Sequence, residues 1–256
     1  MKIERVNIIG TGNLGINLIK HLYKKIKIEN IYTHNPEKVV NLTNQFGIKV
    51  VSDVTALSPD VDLNILSVRD DAVEGVLSIL PKEVPIVHTS GSLGIEELKG
   101  FSNSGIMYPL QTFSSNQNID IKECPFLIEA NSEDFFISLK NFCSTNLSQN
   151  NFRMNSDQRA LIHLAAVFAN NFTNNMLAIS QKILVENNID FKILEPLVKE
   201  SIRKALEIGP LSAQTGPAVR GDEKIIQKHL TLLKDEKVKE IYKLVTQNIQ
   251  EYKSKA

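Results

Sequence analysis

Short apolar runs alternate with amphipathic stretches through the first half of the chain. Most of these runs lack strict alternation with polar residues, as expected of strands that are buried on both faces of a sheet. Helical periodicity fills the intervals, and the two patterns together predict a doubly wound parallel sheet with helices on its faces. The predicted strands span residues 3–9, 30–33, 63–68, 86–89, 105–108 and 126–129, and the predicted helices span 14–24, 36–46 and 71–80, with a short turn at 95–98.

The rhythm changes near residue 155, beyond which no convincing strand pattern occurs. Ser156-Asp157-Gln158 opens a long helical stretch, and Gly209-Pro210 and Gly216-Pro217 separate helices that follow it. We therefore predict an α/β domain over 1–154 and an all-α domain over 155–256. The predicted helices of the second domain span 156–187, 191–208, 223–233 and 236–252.

One motif near the N-terminus carries the strongest functional signal. The apolar strand Val6-Asn7-Ile8-Ile9 runs into a G-x-G-x-x-G motif, and an apolar helix follows at once. In such motifs the first glycine allows a tight turn, the second lets a pyrophosphate approach the backbone, and the third lets the helix pack closely. The helix N-terminus presents N–H groups to the phosphates. The motif predicts a dinucleotide site; the alternative is a glycine turn without a ligand. Its residues are Gly10, Thr11, Gly12, Asn13, Leu14 and Gly15.

The residues after the second predicted strand indicate which dinucleotide binds. NAD sites place an acidic residue there to bind the ribose 2′-hydroxyl. Here the strand ends in His34-Asn35-Pro36, without a carboxylate at that position. An amide and a nearby ammonium group tolerate a 2′-phosphate, so we favour NADP over NAD, with Asn35 and Lys38 as phosphate contacts. Alternatively, Asn35-Pro36 simply begins the next helix.

Three loops follow predicted strands, where open α/β sheets bind their ligands. The loop containing Val68 is expected to pass near the cofactor, although an aspartate at 70 or 71 could serve only as a helix cap. The small loop Ser90-Gly91-Ser92 suits a position beneath a nicotinamide ring, and the alternative is a polar turn. Pro109 directs Gln111 outward toward a substrate, and the alternative is a simple exit from an edge strand.

The apolar helix over 159–172 contains unexpected polar residues. At α-helical spacing His163, Asn170 and Asn171 share one face. Histidine titrates near neutrality, so His163 could donate a proton to a carbonyl or imine. The alternative is that all three side chains are satisfied within a helical core. In the later loop, Arg220 could bind a substrate carboxylate or could be solvated.

Composition limits the classes of partner. Basic and acidic residues both number 29, so the formal net charge is zero, which argues against nucleic acid or an anionic membrane as the main partner. No apolar run reaches the roughly 18 residues of a membrane span, and no signal-peptide pattern occurs. Cys124 and Cys143 are isolated and lack metal-ligand spacing. These observations predict a cytoplasmic protein without a metal.

Taken together, the motifs resemble those of the β-hydroxyacid dehydrogenase and pyrroline-5-carboxylate reductase superfamily. More closely, the chain is similar to bacterial Rossmann-like NADP oxidoreductases with a C-terminal helical domain of unknown function. The resemblance implies a Rossmann domain followed by an all-α domain like the C-terminal domain of 6-phosphogluconate dehydrogenase. It also implies a homodimer formed through that helical domain. The matching segments are 10–15, 88–92, 109–113, 163–172, 216–217 and 220–222.

One departure from the superfamily pattern concerns the catalytic acid. Typical β-hydroxyacid dehydrogenases carry a lysine one turn before an asparagine on the interdomain helix. If their asparagine is aligned with Asn170, Val167 occupies the lysine position. His163, one turn earlier, is our candidate replacement.

We therefore expect an NADP-dependent oxidoreductase that transfers hydride to or from a small carbonyl, hydroxyl or imine compound bound between the domains. Catalysis is assigned to His163, Asn170 and Ser90, with Ser90 also near the cofactor. Substrate contacts are assigned to Ser92, Gln111, Asn171 and Arg220. The alternatives are a non-catalytic NADP-binding sensor or regulatory protein, and a helical scaffold that retains a vestigial Rossmann domain.

Overall fold

Six parallel strands form most of an eight-stranded sheet in a computed structural model that describes residues 1–114 and 119–255. The strand order is β3-β2-β1-β4-β5-β6-β7-β8; β7 runs antiparallel to β6, and β8 runs parallel to β7. The predicted doubly wound sheet is confirmed. Its strands are β1 Arg5–Ile9, β2 Lys27–Tyr32, β3 Lys49–Val51, β4 Leu63–Leu66, β5 Ile86–His88, β6 Ser104–Pro109, β7 Phe126–Ala130 and β8 Asn151–Arg153.

Both edge strands, β3 and β8, are absent from our sequence prediction. Each contains three residues and lies at the outer end of the strand order. In β8 the side chains of Phe152 and Arg153 are exposed, so no buried apolar run marks this strand.

The core lies on both faces of the sheet. Neighbouring residues of one strand point to opposite faces, so Ile8 belongs to one apolar cluster and Ile9 to the other. Ile65 and Leu66 of β4 divide in the same way. Burial on both faces explains why these strands lack an alternating polar pattern.

Helices cover the sheet and make up the C-terminal part of the chain. Helix α5 begins with a capping box in which the side chain of Asn155 accepts the backbone N–H of Gln158, and Gln158 accepts the N–H of Asn155. The helices are α1 Asn13–Leu22, α2 Val40–Phe46, α3 Val73–Leu77, α4 Glu133–Asn146, α5 Ser156–Ala166, α6 Thr173–Val185, α7 Glu195–Ile208, α8 Pro210–Ala213, α9 Pro217–Arg220, α10 Glu223–Leu232 and α11 Glu236–Lys255, and a π-helical segment, Val167–Phe172, joins α5 to α6.

The chain divides into two compact units, Met1–Ala169 and Asn170–Ala256. The first contains the whole sheet, and the described part of the second is helical. The domain boundary that we predict between 154 and 155 falls at the N-terminal cap of α5 and stays a prediction. None of the helices in the described ranges combines the length and apolar character that crossing a bilayer requires.

Candidate functional site

The glycine loop joins β1 to α1 at the point where the strand order reverses. Gly10 adopts φ +108°, and a Cβ there would lie 2.2 Å from the carbonyl oxygen of Ser67. A Cβ on Gly15 would lie 2.1 Å from the carbonyl oxygen of Gly10. The close packing of α1, β1 and the loop after β4 therefore requires both glycines.

Gly12 is different, because the fold itself does not require a glycine there. Its φ of −67° is accessible to any residue, and a Cβ would meet no protein atom within 4 Å. Gly12 is also the N-cap of α1 and has no side chain to bind the first N–H groups of the helix. Open space beside available N–H groups fits the close approach of a diphosphate.

Hydrogen bonds hold the loop in this shape. The hydroxyls of Thr11 and Thr33 lie 2.6 Å apart, which links the loop to the end of β2. The amide of Asn13 donates to the carbonyl oxygen of Phe113 at 3.0 Å. A methyl group of Val68 lies 3.0 Å from the position of a Cβ on Gly10, so Val68 lies beside the loop, and its contact with the cofactor stays a prediction.

The two proposed phosphate contacts follow β2. Asn35 is exposed, and its backbone N–H donates to the hydroxyl of Thr33 at 3.1 Å. The side chain of Lys38 lies outside the described residues. Both assignments stay predictions.

The loops after β4 and β5 are joined by Asp70, a role that our sequence reasoning missed. Its Oδ2 accepts the hydroxyl of Ser90 at 3.0 Å and that of Ser92 at 2.5 Å. Asp70 is the first residue of the short helical turn Asp70–Ala72 and is not its N-cap. The N-cap is Arg69, whose side chain makes no capping hydrogen bond. The hydroxyl of Ser90 also accepts the N–H groups of Ser92 and Leu93, each at 3.1 Å. The hydroxyl of Ser90 therefore stabilises the loop both by donating a hydrogen bond to Asp70 and by accepting two from the backbone.

His88, at the end of β5, also makes hydrogen-bond contacts with the backbone of this loop. Its Nδ1 accepts the N–H of Ser90 at 3.2 Å, and its Nε2 lies 3.2 Å from the carbonyl oxygen of Gly94. Burial lowers the pKa of His88 to about 4, so the imidazole is neutral at physiological pH.

Tyr108 and His163 form a pair against this loop. The hydroxyl of Tyr108, on β6, lies 2.9 Å from Nδ1 of His163, on α5, and the two rings meet edge to face at 78°. A Cβ on Gly91 would lie 2.6 Å from that nitrogen and 2.9 Å from Cζ of Tyr108. Burial raises the pKa of Tyr108, so its hydroxyl keeps its proton.

A buried arginine fixes α5 to the same region. The side chain of Arg159 is 1% exposed, and its Nη1 donates to Oε2 of Glu129, on β7, at 2.6 Å. Its Nη2 donates to the carbonyl oxygen of Leu93 and to the hydroxyl of Ser156. Because His163 lies one turn later on α5, Arg159 fixes that turn against the loop that follows β5.

Sequence reasoning missed Tyr108, Arg159 and Glu129 as members of this region. A phenol at the carboxyl end of a central strand is the one local signal that could have singled out Tyr108. An arginine among apolar helical positions could likewise have prompted a search for a buried acidic partner.

Four other predicted site residues are exposed on the unit to which each belongs. Gln111 is exposed, and its side chain accepts the backbone N–H of Thr112 at 2.9 Å. Asn170 and Asn171 are exposed in the π-helical segment, and Arg220 is exposed at the end of α9. A π turn closes with i→i+5 bonds, so the α-helical spacing that aligns Asn170 with His163 does not apply across it. These four assignments stay predictions.

Comparison with known proteins places the chain in a family. Residues 5–90 match a family model described as "NADP oxidoreductase coenzyme F420-dependent", and residues 124–249 match "Domain of unknown function (DUF2520)". The crystal structure of a protein from Bacteroides fragilis, named a "putative NADP oxidoreductase", is 37% identical, with 97% of this chain and 98% of that chain covered and a TM-score of 0.89. The chain belongs to this NADP oxidoreductase family. The predicted family, fold and cofactor are thereby confirmed at the level of the family.

More distant structures share the fold of this family. A Thermotoga maritima protein is 21% identical over 97% of this chain and 99% of its own, with a TM-score of 0.79. A reductive aminase from Aspergillus terreus, in complex with NADPH and ethyl levulinate, is 14% identical over 98% of this chain and 95% of its own, with a TM-score of 0.75. No protein of curated function matches the chain. In the described parts of the chain, no group of three acidic, histidine or cysteine side chains could hold a metal ion.

Proposed function

We propose that this NADP oxidoreductase transfers a hydride between NADP(H) and a small carbonyl, hydroxyl or imine compound. The observation that carries the proposal is the combination of two features within the first unit. One is the unfilled space over Gly12 at the start of α1. The other is the Tyr108–His163 pair, packed on the loop after β5.

The cofactor would be held by groups whose chemistry matches its parts. Backbone N–H groups of the loop from Gly10 to Gly15 would bind the diphosphate, and Asn35 and Lys38 would bind the 2′-phosphate. Val68 and Ser90 would lie near the nicotinamide. When bound, NADPH supplies the hydride, and this chain supplies position and a proton donor.

His163 is the proposed donor to the oxygen or nitrogen of the substrate. It is half-buried and sits beside Tyr108, so its ring has a fixed orientation and an accessible edge. Asn170 and Ser90 are the other proposed catalytic side chains. The proposed substrate contacts are Ser92, Gln111, Asn171 and Arg220.

The proposal is tested by measuring both turnover and the affinity for NADPH in the wild type and in variants. NADPH consumption is followed with a panel of cyclic imines, keto acids and aldehydes; imines come first because the reductive aminase shares this fold. We expect His163→Ala to lower kcat by about 10²- to 10⁴-fold, while the Kd for NADPH changes less than about twofold. His229→Ala is the matched control, because His229 forms an equivalent pair with Tyr242 at 2.9 Å within the second unit. Equal effects of the two substitutions on kcat would contradict the assignment.

A non-catalytic NADP-binding sensor is the second candidate. What favours it is Val167, which takes the place of the lysine typical of β-hydroxyacid dehydrogenases if their asparagine is aligned with Asn170. This function predicts tight NADPH binding without oxidation by any compound of the panel. Absence of NADPH binding would contradict both candidates.

We also propose that the helical unit pairs with a second copy. Among its described residues, the buried apolar side chains are Ala218 and Ile226, whereas Leu206 is 84% exposed and Leu232 is 69% exposed. Extensive exposed apolar surface marks an interaction site. Light scattering during gel filtration is expected to give twice the chain mass of 28.7 kDa, and a monomer at micromolar concentration would contradict the proposal.

A further inference from the structure

We propose that Tyr108 holds His163 in the tautomer that carries its proton on Nε2, which makes Nε2 the nitrogen that faces the substrate. The inference rests on the proposed function of His163 and deepens it. In this scheme Tyr108 is a positioning residue, because it acts through the imidazole.

The Nδ1 edge of the His163 imidazole is closed. The hydroxyl of Tyr108 occupies Nδ1 at 2.9 Å, and the backbone of Gly91 covers the Nδ1–Cγ bond so closely that a Cβ would come within 2.8 Å of both atoms. His163 is nevertheless only half-buried. The part of the ring that remains accessible is therefore the opposite edge, which carries Nε2.

The hydrogen bond between Tyr108 and His163 has a defined direction. A tyrosine hydroxyl has one proton to donate, and within the described residues its recorded partner is Nδ1 of His163. If Nδ1 donated instead, the phenolic proton of Tyr108 would have no acceptor among those residues, which is unfavourable for a half-buried donor. Burial also raises the pKa of Tyr108, so the hydroxyl remains protonated. Tyr108 is thus the donor and Nδ1 the acceptor.

The consequence follows from the chemistry of neutral imidazole, in which one nitrogen accepts and the other carries the proton. Because Nδ1 accepts, the N–H is on Nε2, at the accessible edge. An oriented N–H there stabilises negative charge that develops on a substrate oxygen or nitrogen. As this proton moves to the substrate atom, the hydroxyl of Tyr108 passes its own proton to Nδ1, so the ring stays neutral, and water restores the proton of Tyr108.

A purely structural pairing of tyrosine and histidine is the alternative, and the chain offers an internal example of that geometry. Tyr242 and His229 join α11 to α10, also at 2.9 Å and edge to face at 86°. That pair is remote in sequence from the glycine loop and lacks a covering glycine in the described structure. Tyr242→Phe is therefore the matched control for Tyr108→Phe.

The first experiment does not require turnover. Nitrogen NMR of isotope-labelled histidine in the full-length protein reports which ring nitrogen carries the proton. We expect the Nε2–H tautomer for His163 in the wild type, a tautomer mixture in Tyr108→Phe, and an unchanged His163 signal in Tyr242→Phe. An Nδ1–H tautomer in the wild type, or no response to Tyr108→Phe, would overturn the inference.

The second experiment compares two replacements of His163. A glutamine amide can place an N–H near the position of Nε2, whereas an asparagine amide reaches only the position of Nδ1. With any substrate that is turned over, His163→Gln is expected to retain roughly tenfold more kcat than His163→Asn, at similar KM and NADPH affinity. Tyr108→Phe is expected to lower kcat with little change in KM, and Tyr242→Phe to leave both unchanged.

The two experiments separate this inference from the proposed function. If the tautomer is Nε2–H but no compound is turned over by the wild type, the tautomer assignment stands and the proposed function fails. If turnover depends on His163 but His163→Asn is as active as His163→Gln, the proposed function stands and the Nε2 assignment fails.

Discussion

The buried pair of Arg159 and Glu129 should contribute much more to stability than any exposed ion pair of the first unit. Arg159 is 1% exposed and Glu129 is 15% exposed, and the guanidinium also donates to Leu93 and Ser156. Removing one partner of such a pair leaves an uncompensated charge and costs about 3–5 kcal/mol. For a chain of this size, Arg159→Ala should therefore lower Tm by roughly 10 °C.

Arg153→Ala is the matched control for this substitution. Arg153 pairs with Glu133 at 2.7 Å, but both side chains are more than half exposed, at 54% and 65%. Exposed pairs contribute about 0–1 kcal/mol, and the contact of Arg153 with the ring of Phe136 adds a similar amount. We expect Arg153→Ala to lower Tm by less than about 5 °C.

Thermal unfolding followed by circular dichroism in one buffer compares the two variants. Equal shifts in Tm would refute the reasoning that burial makes the difference. The double variant Glu129→Gln with Arg159→Met removes both charges, so it should recover part of the loss seen in Arg159→Ala. A double variant less stable than Arg159→Ala would show that packing, rather than the unpaired charge, dominates.

Three further predictions follow from the described contacts. Gly12→Ala should weaken NADPH binding about tenfold in a fluorescence titration. It should leave Tm unchanged, because the added Cβ meets no protein atom within 4 Å. Gly15→Ala should lower Tm, because the added Cβ would overlap the backbone oxygen of Gly10. Burial lowers the pKa of His88 from 6.5 to about 4. Between pH 6.5 and 4, His88 is therefore protonated in the unfolded chain and neutral in the folded protein. Stability contributed by neutral His88 is thus complete above pH 6.5 and falls by up to about 3 kcal/mol as the pH drops toward 4. Urea unfolding should show a shallower pH dependence for His88→Gln, and identical slopes would contradict this. Burial raises the pKa of the Cys124 thiol to about 12, so a thiol reagent should label Cys124 and Cys143 only after unfolding; labelling of the native protein at the same rate would contradict it.

The parts of the structure that sequence reasoning predicted are those with a local cause. Buried parallel strands appear as uninterrupted apolar runs, and the turn from β1 into α1 needs glycine at Gly10 and Gly15 whatever else the chain does. The start of α5 was also predictable, because Asn155 and Gln158 are three positions apart and cap the helix reciprocally.

The parts that were missed depend on contacts between distant segments. Tyr108 and His163 are 55 residues apart, and Arg159 lies 30 residues from Glu129 and 66 from Leu93. No periodic pattern records such pairs. The π-helical segment was missed for a related reason, since one extra residue in a turn leaves no signature in composition.

Taken alone, the amino-acid sequence determined the order of the buried strands, the glycine turn and the helix N-terminus beside it, because each depends on residues within a few positions of one another. The edge strands β3 and β8 and the helix α4 were not predicted. Only the tertiary structure decided that Asp70 accepts hydrogen bonds from two serines, that Tyr108 is hydrogen-bonded to His163, and that Arg159 forms a buried ion pair with Glu129. These contacts follow from the adjacency of β4, β5, β6 and β7 in the sheet and from the packing of α5 against the sheet. The loops after β4 and β5 and the end of β6 become neighbours because parallel strands bring their carboxyl ends to one edge. Glu129 is placed differently, because the antiparallel strand β7 sets it opposite Ile106 of β6.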